Sequence, residues 1–197
     1  MKAINYFVLN ILVLSVFAAC KSPDQEQHDL YPETKAYFDI RNGSTFTFTD
    51  YSDTSVAIEY TSGNYNNNRA NPDIENSEIL FYDLNASGQP SFTMRCQSGG
   101  AEFKDQCALV TRVGDSTFIG PVIYNTSGRF GPGQNSGDSV IAYPTYNFNT
   151  TVFADVLRVK LLNNLRYSEV YFAKRVGLIA RREKSGKFYY VKSYNLK

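Results

Sequence analysis

Polar and apolar residues alternate along much of this chain with a period of two. Thr45-Phe46-Thr47-Phe48-Thr49 is the clearest run. Successive side chains on a strand point to opposite faces, so the run predicts a strand with Phe46 and Phe48 inward and the threonines outward. Ser55 to Thr61 repeats the pattern, with Val56 and Ile58 on one face. Strands are further predicted over Glu78 to Leu84, Phe92 to Cys96, Gln106 to Val113, Thr117 to Tyr124 and Val140 to Phe148. Pro121 inside one of them points to an edge or a bulge. Residues 153 to 162 are ambiguous: Val152, Val156 and Val159 suit a helix. Leu157, Val159 and Leu161 inward against Arg158 and Lys160 outward suit a strand better. Tyr167 to Ala173, Val176 to Arg182 and Phe188 to Tyr194 close the chain as three more strands.

Turn signals fall between these runs. Tyr37 to Arg41 reads as a strand leading into Asn42-Gly43, a pair that tolerates the positive φ of a tight hairpin. Ala86 to Pro90, Gly114-Asp115, Asn163-Asn164, Lys174-Arg175 and Lys184-Ser185-Gly186 are further turns. Ser62 to Asn76 is Asn-rich, and Asn125 to Asp138 carries four glycines; both read as long loops. Short strands at regular spacing with no convincing helix predict an all-β fold. The expectation is a single antiparallel meander, forming a curved sheet or half-barrel, with little or no helix outside a signal peptide. The high aromatic content, 15% and all Tyr and Phe, suits such half-buried pleated surfaces.

The first twenty residues follow another logic. Lys2 gives a positive start, Tyr6 to Phe17 is almost unbroken apolar sequence, and Phe17-Ala18-Ala19-Cys20 ends it. The run is too short, and too interrupted by Asn5 and Asn10, for a spanning helix, which needs about 20 apolar residues. It has the layout of an export signal with a small-residue cleavage site. It also resembles the bacterial lipobox, with Phe17 where the pattern usually has Leu. That resemblance implies cleavage before Cys20 and acylation of its thiol, palmitate-type chains included; two or more chains give stable anchoring. The domains expected are therefore a signal peptide over 1–19, lipidated Cys20 with a flexible tether over 20–35, and one β domain over 36–197. Lys21, rather than Asp, follows Cys20, which favours the outer membrane under the same resemblance.

Export changes the reading of the other two cysteines. Cys96 and Cys107 flank a Gly-rich turn, and an oxidising compartment makes a disulfide the leading reading, against two buried free thiols. The sole histidine, His28, lies in the expected tether, which leaves no zinc set and no His-based nucleophile triad. Asp73, Glu75 and Glu78 are a weak calcium candidate, lacking the turn glycine of an EF-hand. Paired carboxylates for glycan hydrolysis would have to come from Glu59, Asp73, Glu75, Glu78, Asp83, Glu102, Asp105 and Asp115, with no pair singled out by spacing. No cofactor motif is present, and the expectation is a non-enzyme. Charge is uneven: Lys21 to Val152 holds 8 basic against 16 acidic residues, and Phe153 to Lys197 holds 11 against 3. The basic residues are spread along strand-like segments, so strand pairing between the two halves is preferred to nucleic-acid binding.

The two ends of the domain carry a resemblance. Tyr37-Phe38-Asp39-Ile40-Arg41-Asn42-Gly43-Ser44-Thr45-Phe46-Thr47-Phe48 and Tyr171-Phe172-Ala173-Lys174-Arg175-Val176-Gly177-Leu178-Ile179 resemble the opening and closing hairpins of small Gram-negative outer-membrane lipoproteins. Members commonly have Trp where this chain has Phe46. The resemblance implies a curved antiparallel sheet, wrapped toward a half-barrel like that of the lipoprotein carrier LolA, and carries over no catalytic residue. Three functional classes follow. The first is a membrane-anchored envelope protein that binds a protein or glycan partner or holds a structural place. The second is a carrier or sensor of an apolar ligand in the sheet's concavity. The third and weakest is a carboxylate-based hydrolase. Tyr65, Tyr124, Tyr143 and Tyr146, in or beside the two long loops, are the candidate binding residues.

Overall fold

Twelve strands pair side by side, each with its neighbour in sequence, in the computed structural model, which describes residues 27–69, 76–99, 104–113, 115–126, 128–132, 138–162, 164 and 166–197. The first seven are β2 (Thr45–Asp50), β3 (Ala57–Arg69), β4 (Asn76–Asn85), β5 (Ser91–Gln97), β6 (Asp105–Val113), β7 (Ser116–Thr126) and β8 (Arg129–Pro132). The rest are β9 (Ser139–Phe148), β10 (Thr151–Lys160), β11 (Tyr167–Ala173), β12 (Gly177–Glu183) and β13 (Phe188–Asn195). A two-residue strand β1 (Gln27–His28) and a helix α1 (Pro32–Phe38) precede them. β2 pairs antiparallel with β13, so the order runs β8 to β2, then β13 back to β9. The free edges, β8 and β9, come within 8 Å of each other, Cα to Cα. The result is the all-β curved sheet that the alternation predicts, wrapped further than a half-barrel into a nearly closed one.

The alternation dictates what fills it. Phe46, Phe48, Tyr60, Leu80, Tyr82, Phe92, Met94 and Leu109 point inward and are all but completely buried. Cys96 and Cys107 sit directly opposite each other on β5 and β6 and are joined by a disulfide on the same inner face. The outward positions of β2 to β6 are mixed: Thr47, Glu59, Thr93, Arg95 and Gln106 are polar, while Ile79 and Phe81 on β4 line an outer groove beside Thr93 and Arg95. Pro121 falls where β6 and β7 slip register between Ala108 and Val110, which is the expected bulge.

Four expectations are corrected. The segment read as tether is ordered from Gln27 onward and crosses one end of the barrel. β1 pairs parallel with β4, and α1 follows. Tyr37 to Arg41 is therefore the end of α1 and a loop rather than a strand, and Asn42-Gly43 leads into β2 without a hairpin. Ser62 to Arg69, read as loop, extends β3, because β4 supplies partners for Asn66, Asn67 and Asn68. Within the second expected loop, residues 129–132 form β8 on the edge of β7. Residues 1–19, Cys20, Asp73, Glu75 and Glu102 lie outside the described residues.

A seven-residue helix is marginal on its own, so α1 depends on what it touches. Pro32 stands in its first turn, where a missing N–H costs nothing. Leu30, Thr34, Tyr37 and Phe38 are buried, and the Phe38 ring meets Phe172 edge-on at 5.1 Å. Such a ring pair contributes roughly 0.5–1.5 kcal/mol beyond its buried area. Polar contacts fix the strap to both halves of the barrel. The Leu30 amide donates to Glu78 Oε2 at 2.9 Å, and Lys35 Nζ reaches the same oxygen at 2.7 Å. Asp105 Oδ2 accepts from the Tyr31 amide at 2.8 Å and the Thr34 hydroxyl at 2.5 Å. On the far side the Arg175 amide donates to the Ala36 carbonyl at 2.5 Å. Gly177, with φ of 90°, leaves room for the strap, since a Cβ there would lie 3.0 Å from Ile40 Cγ1.

β9 and β10 build a second layer. β10 pairs with β11 only as far as Val156↔Ala173, while its pairing with β9 continues to Thr151↔Phe148. Asp155, at a φ of 49° that Asp tolerates better than most residues, marks the point of departure. Its carbonyl is held by the Lys174 amide at 3.1 Å. Beyond it the hairpin tip lies across the outer face of β11 to β13. Phe148 packs there on Tyr171, Phe188 and Tyr190.

The strap contacts carry a pH signature. Burial would raise the Glu78 carboxyl, but Lys35 and the Leu30 amide outweigh it and hold the group below its ordinary range. A depressed folded-state pKa contributes stability that is present above the unfolded value and lost as pH falls through the folded one. Glu78→Gln should therefore melt below the wild type at pH 7, and the gap should narrow once pH drops below about 4, the unfolded glutamate range. Thermal melts of both proteins across that interval check it; a gap constant with pH would contradict the ionic role.

Candidate functional site

Strand connections alternate between the two ends of the barrel, and the strap occupies only one of them. At the other end the β2–β3 loop, the β12–β13 turn and the tip of the β9–β10 hairpin meet around an open cleft of about 370 Å³. Its floor is aromatic: Tyr146, Phe148 and Phe188 line it, and Tyr51 stands at its rim with half its surface exposed. The Tyr51 ring is 5.8 Å from Phe188 and 5.9 Å from Tyr190. Its position is fixed from the backbone, because the Tyr51 amide donates to the Phe188 carbonyl at 2.8 Å and so extends the β2–β13 pairing.

Polar groups surround the rings. Asp50 Oδ1 accepts from the Ser52 amide at 2.9 Å and its hydroxyl at 2.6 Å, which shapes the loop. The Ser52 hydroxyl bond, with Lys187 adding a smaller share, holds the Asp50 carboxyl below its ordinary range. Arg182 lies with its guanidinium carbon 4.4 Å from the Phe188 ring centre and its Nε 3.3 Å from Glu169 Oε2. Glu169 also accepts from Arg158 and, at 2.7 Å, from the Tyr171 hydroxyl. Burial would raise the Glu169 carboxyl, but Arg158, Tyr171 and Arg182 outweigh it and keep it ionised. Asn149 Nδ2 donates to the Tyr190 hydroxyl at 2.8 Å and pins the hairpin tip. The cleft thus offers flat ring faces beside Asp50, Asn147, Ser52 and Lys187, a combination that suits a polar ligand with apolar faces.

The four tyrosines singled out from the sequence do not converge. Tyr146 lines this cleft, and Tyr143 meets it edge-on at 5.1 Å. Tyr124 lies elsewhere, in a groove of about 310 Å³ with Lys104, Arg129 and Phe130 beside the second expected loop. Tyr65 is a clamp near the strap end: Arg41 lies 4.5 Å from its ring centre, and burial and Asp39 push its phenol up to about 12. Tyr51, Phe188, Arg182 and Lys187 were missed. The exposed aromatic of Tyr51 inside a polar turn, Asp50 to Ser55, is the one signal that points to them.

Glu78, Asp105 and Asp83 are engaged in structure, while Glu59 and Asp115 are exposed. Glu78 and Asp105 lie close enough for Glu78 to raise Asp105, whose pKa is raised chiefly by burial. Their oxygens are taken up by the strap rather than turned to an open cleft. Asp83 accepts from Thr93 Oγ1 at 2.6 Å and Asn64 Nδ2 at 2.8 Å. No group of three or more His, Cys, Asp or Glu that could hold a metal occurs among the described residues.

A charged side chain stands among the apolar ones on the inner face. Arg181 on β12 is 2% exposed. Its guanidinium carbon lies 4.8 Å from the ring centres of Phe92 and Tyr189, 5.2 Å from that of Phe48 and 5.4 Å from that of Tyr60. Nη2 makes a long 3.4 Å contact to the Tyr60 hydroxyl. Nε and Nη1 have no hydrogen-bond partner among the described residues. A sequence signal existed, since adjacent Arg181 and Arg182 on a strand must face opposite ways. No protein-family model, curated protein or solved structure matches this chain.

Proposed function

We propose that this chain is an exported, lipid-anchored, non-catalytic binding protein of the cell envelope, and that the cleft around Tyr51 takes a glycan. The observation that carries the reading is the cleft itself: an exposed tyrosine and neighbouring rings at the barrel end, ringed by hydrogen-bonding and charged groups. Ring faces stack on the C–H faces of a sugar while carboxylate, amide and ammonium groups bond its hydroxyls. The apolar packing of the interior supports this reading over a carrier of apolar cargo, because aromatic and aliphatic side chains already occupy the positions a large apolar ligand would need.

The anchor fits the same arrangement. Six residues separate Cys20 from Gln27, which enters the barrel at the strap end. Fully extended, that stretch reaches at most about 25 Å. Acylation of Cys20 would hold the strap end near the bilayer, the outer membrane on the lipobox reading, and leave the Tyr51 cleft turned away from it.

Two experiments test the proposal. Isothermal titration of the purified full chain with soluble envelope polysaccharide fragments should show binding that Tyr51→Ala weakens about tenfold, or ~1.4 kcal/mol. Binding that survives the substitution unchanged, or its absence across the fragments, would sink the cleft assignment. For the anchor, Cys20→Ala should leave the membrane fraction or accumulate with its signal uncleaved. Normal membrane retention of a processed mutant would falsify the lipid-anchor reading.

A further inference from the structure

The geometry points to a second site, inside the barrel, where Arg181 holds a small monovalent anion. This goes beyond the glycan cleft, which lies on the outer face, and shares no residue with it.

A guanidinium stays protonated at any physiological pH, so Arg181 carries its charge into the interior. Buried charges are paired or ligated as a rule. The four rings around Arg181 supply electrostatic attraction through their faces but leave its in-plane N–H groups to find acceptors. Tyr60 meets one of them, poorly. Nε and Nη1 have none among the described residues.

The neighbouring strands offer a matching set of polar atoms. Thr111 on β6 is the cross-strand partner of Phe92, and the Tyr167 ring lies 6.1 Å from that of Phe92. Both Thr111 and Tyr167 are at least 99% buried; their hydroxyls lie close enough to act on each other, and neither makes a hydrogen bond of good geometry among the described residues. Two hydroxyl donors and a guanidinium with two open nitrogens thus face the interior from three strands. The guanidinium charge and the hydroxyl donors suit an anion, and the same charge repels a cation.

The cage lies toward the end away from the strap. Arg166 and Glu183 stand there, partly exposed, with Arg166 Nη2 3.4 Å from Glu183 Oε1. Both act on Tyr60 and Tyr167, which puts them beside the cage. Tyr189, also partly exposed, forms one wall. With Arg166 and Arg181 against Glu183, the field at this end favours an entering anion.

Chloride is the probe. The full chain should melt at a higher temperature in sodium chloride than in sodium gluconate of equal ionic strength, and the shift should saturate with chloride. Arg181→Met should abolish the difference between the two salts. Equal midpoints in both salts for the wild type, or a difference that persists in Arg181→Met, would overturn the proposal. Should Arg181→Met fail to fold, iodide soaked into wild-type crystals decides the matter. An anomalous peak in contact with the Arg181 guanidinium is the result expected, and an interior without one overturns the site.

Discussion

Thr45, Phe46 and Thr47 on β2 pair with Asn195, Tyr194 and Ser193 on β13, and this pairing makes a barrel out of a meander. The other hydrogen-bonded neighbours in the ring are strands consecutive in sequence. The β2–β13 contact alone joins residues about 150 positions apart, so it bears most of the loop-closure entropy of the fold. Once it forms, β8 and β9 are brought edge to edge and the inward faces of all twelve strands turn toward a common interior. Phe46 and Phe48 on one side of the seam and Val191 on the other are essentially fully buried, which gives the pairing an apolar reward at the place where it is needed.

Closure also separates the molecule into two ends with different chemistry. The strap end is ordered by charge and hydrogen bonds: Glu78 and Asp105 hold the backbone of residues 30–35, and the β11–β12 turn grips Ala36. The opposite end is ordered by rings. There the departure of β10 at Asp155 folds a hairpin tip over β11 to β13 and stacks Phe148 on Tyr190 at 5.9 Å. The cleft follows from that second layer, since its floor consists of rings from the hairpin tip and from β13. Arg181 lies beneath on the inner face of the same strands, so the outer cleft and the inner cage are separated by the thickness of one sheet.

Much of this was legible in the sequence. Thr45 to Thr49 and Leu157 to Leu161 give their faces away by strict alternation, and the paired cysteines fall opposite each other where two strands flank a turn. The strap was hidden by composition, because Pro, Glu and Gln made residues 20–35 look like a tether. A helical spacing was nevertheless present in Leu30, Thr34, Tyr37 and Phe38, all of them buried. Asn66 to Asn68 have poor strand propensity, and β4 overrides it by supplying partners. The cleft was illegible for a different reason. Tyr51, Tyr146 and Phe188 come from three distant segments, and only the backbone at Asp155 brings the middle one over the others.

The seam between β2 and β13 is the claim on which the rest stands, and native-state hydrogen exchange measures it most directly. The account predicts that peptides covering Phe46 to Thr49 and Tyr189 to Asn195 are protected together, to the same degree as β4 to β6, and lose protection in one step with denaturant. Exchange of Tyr189 to Asn195 at the rate of an unstructured peptide, while β4 to β6 stay protected, would show an open sheet and contradict the barrel.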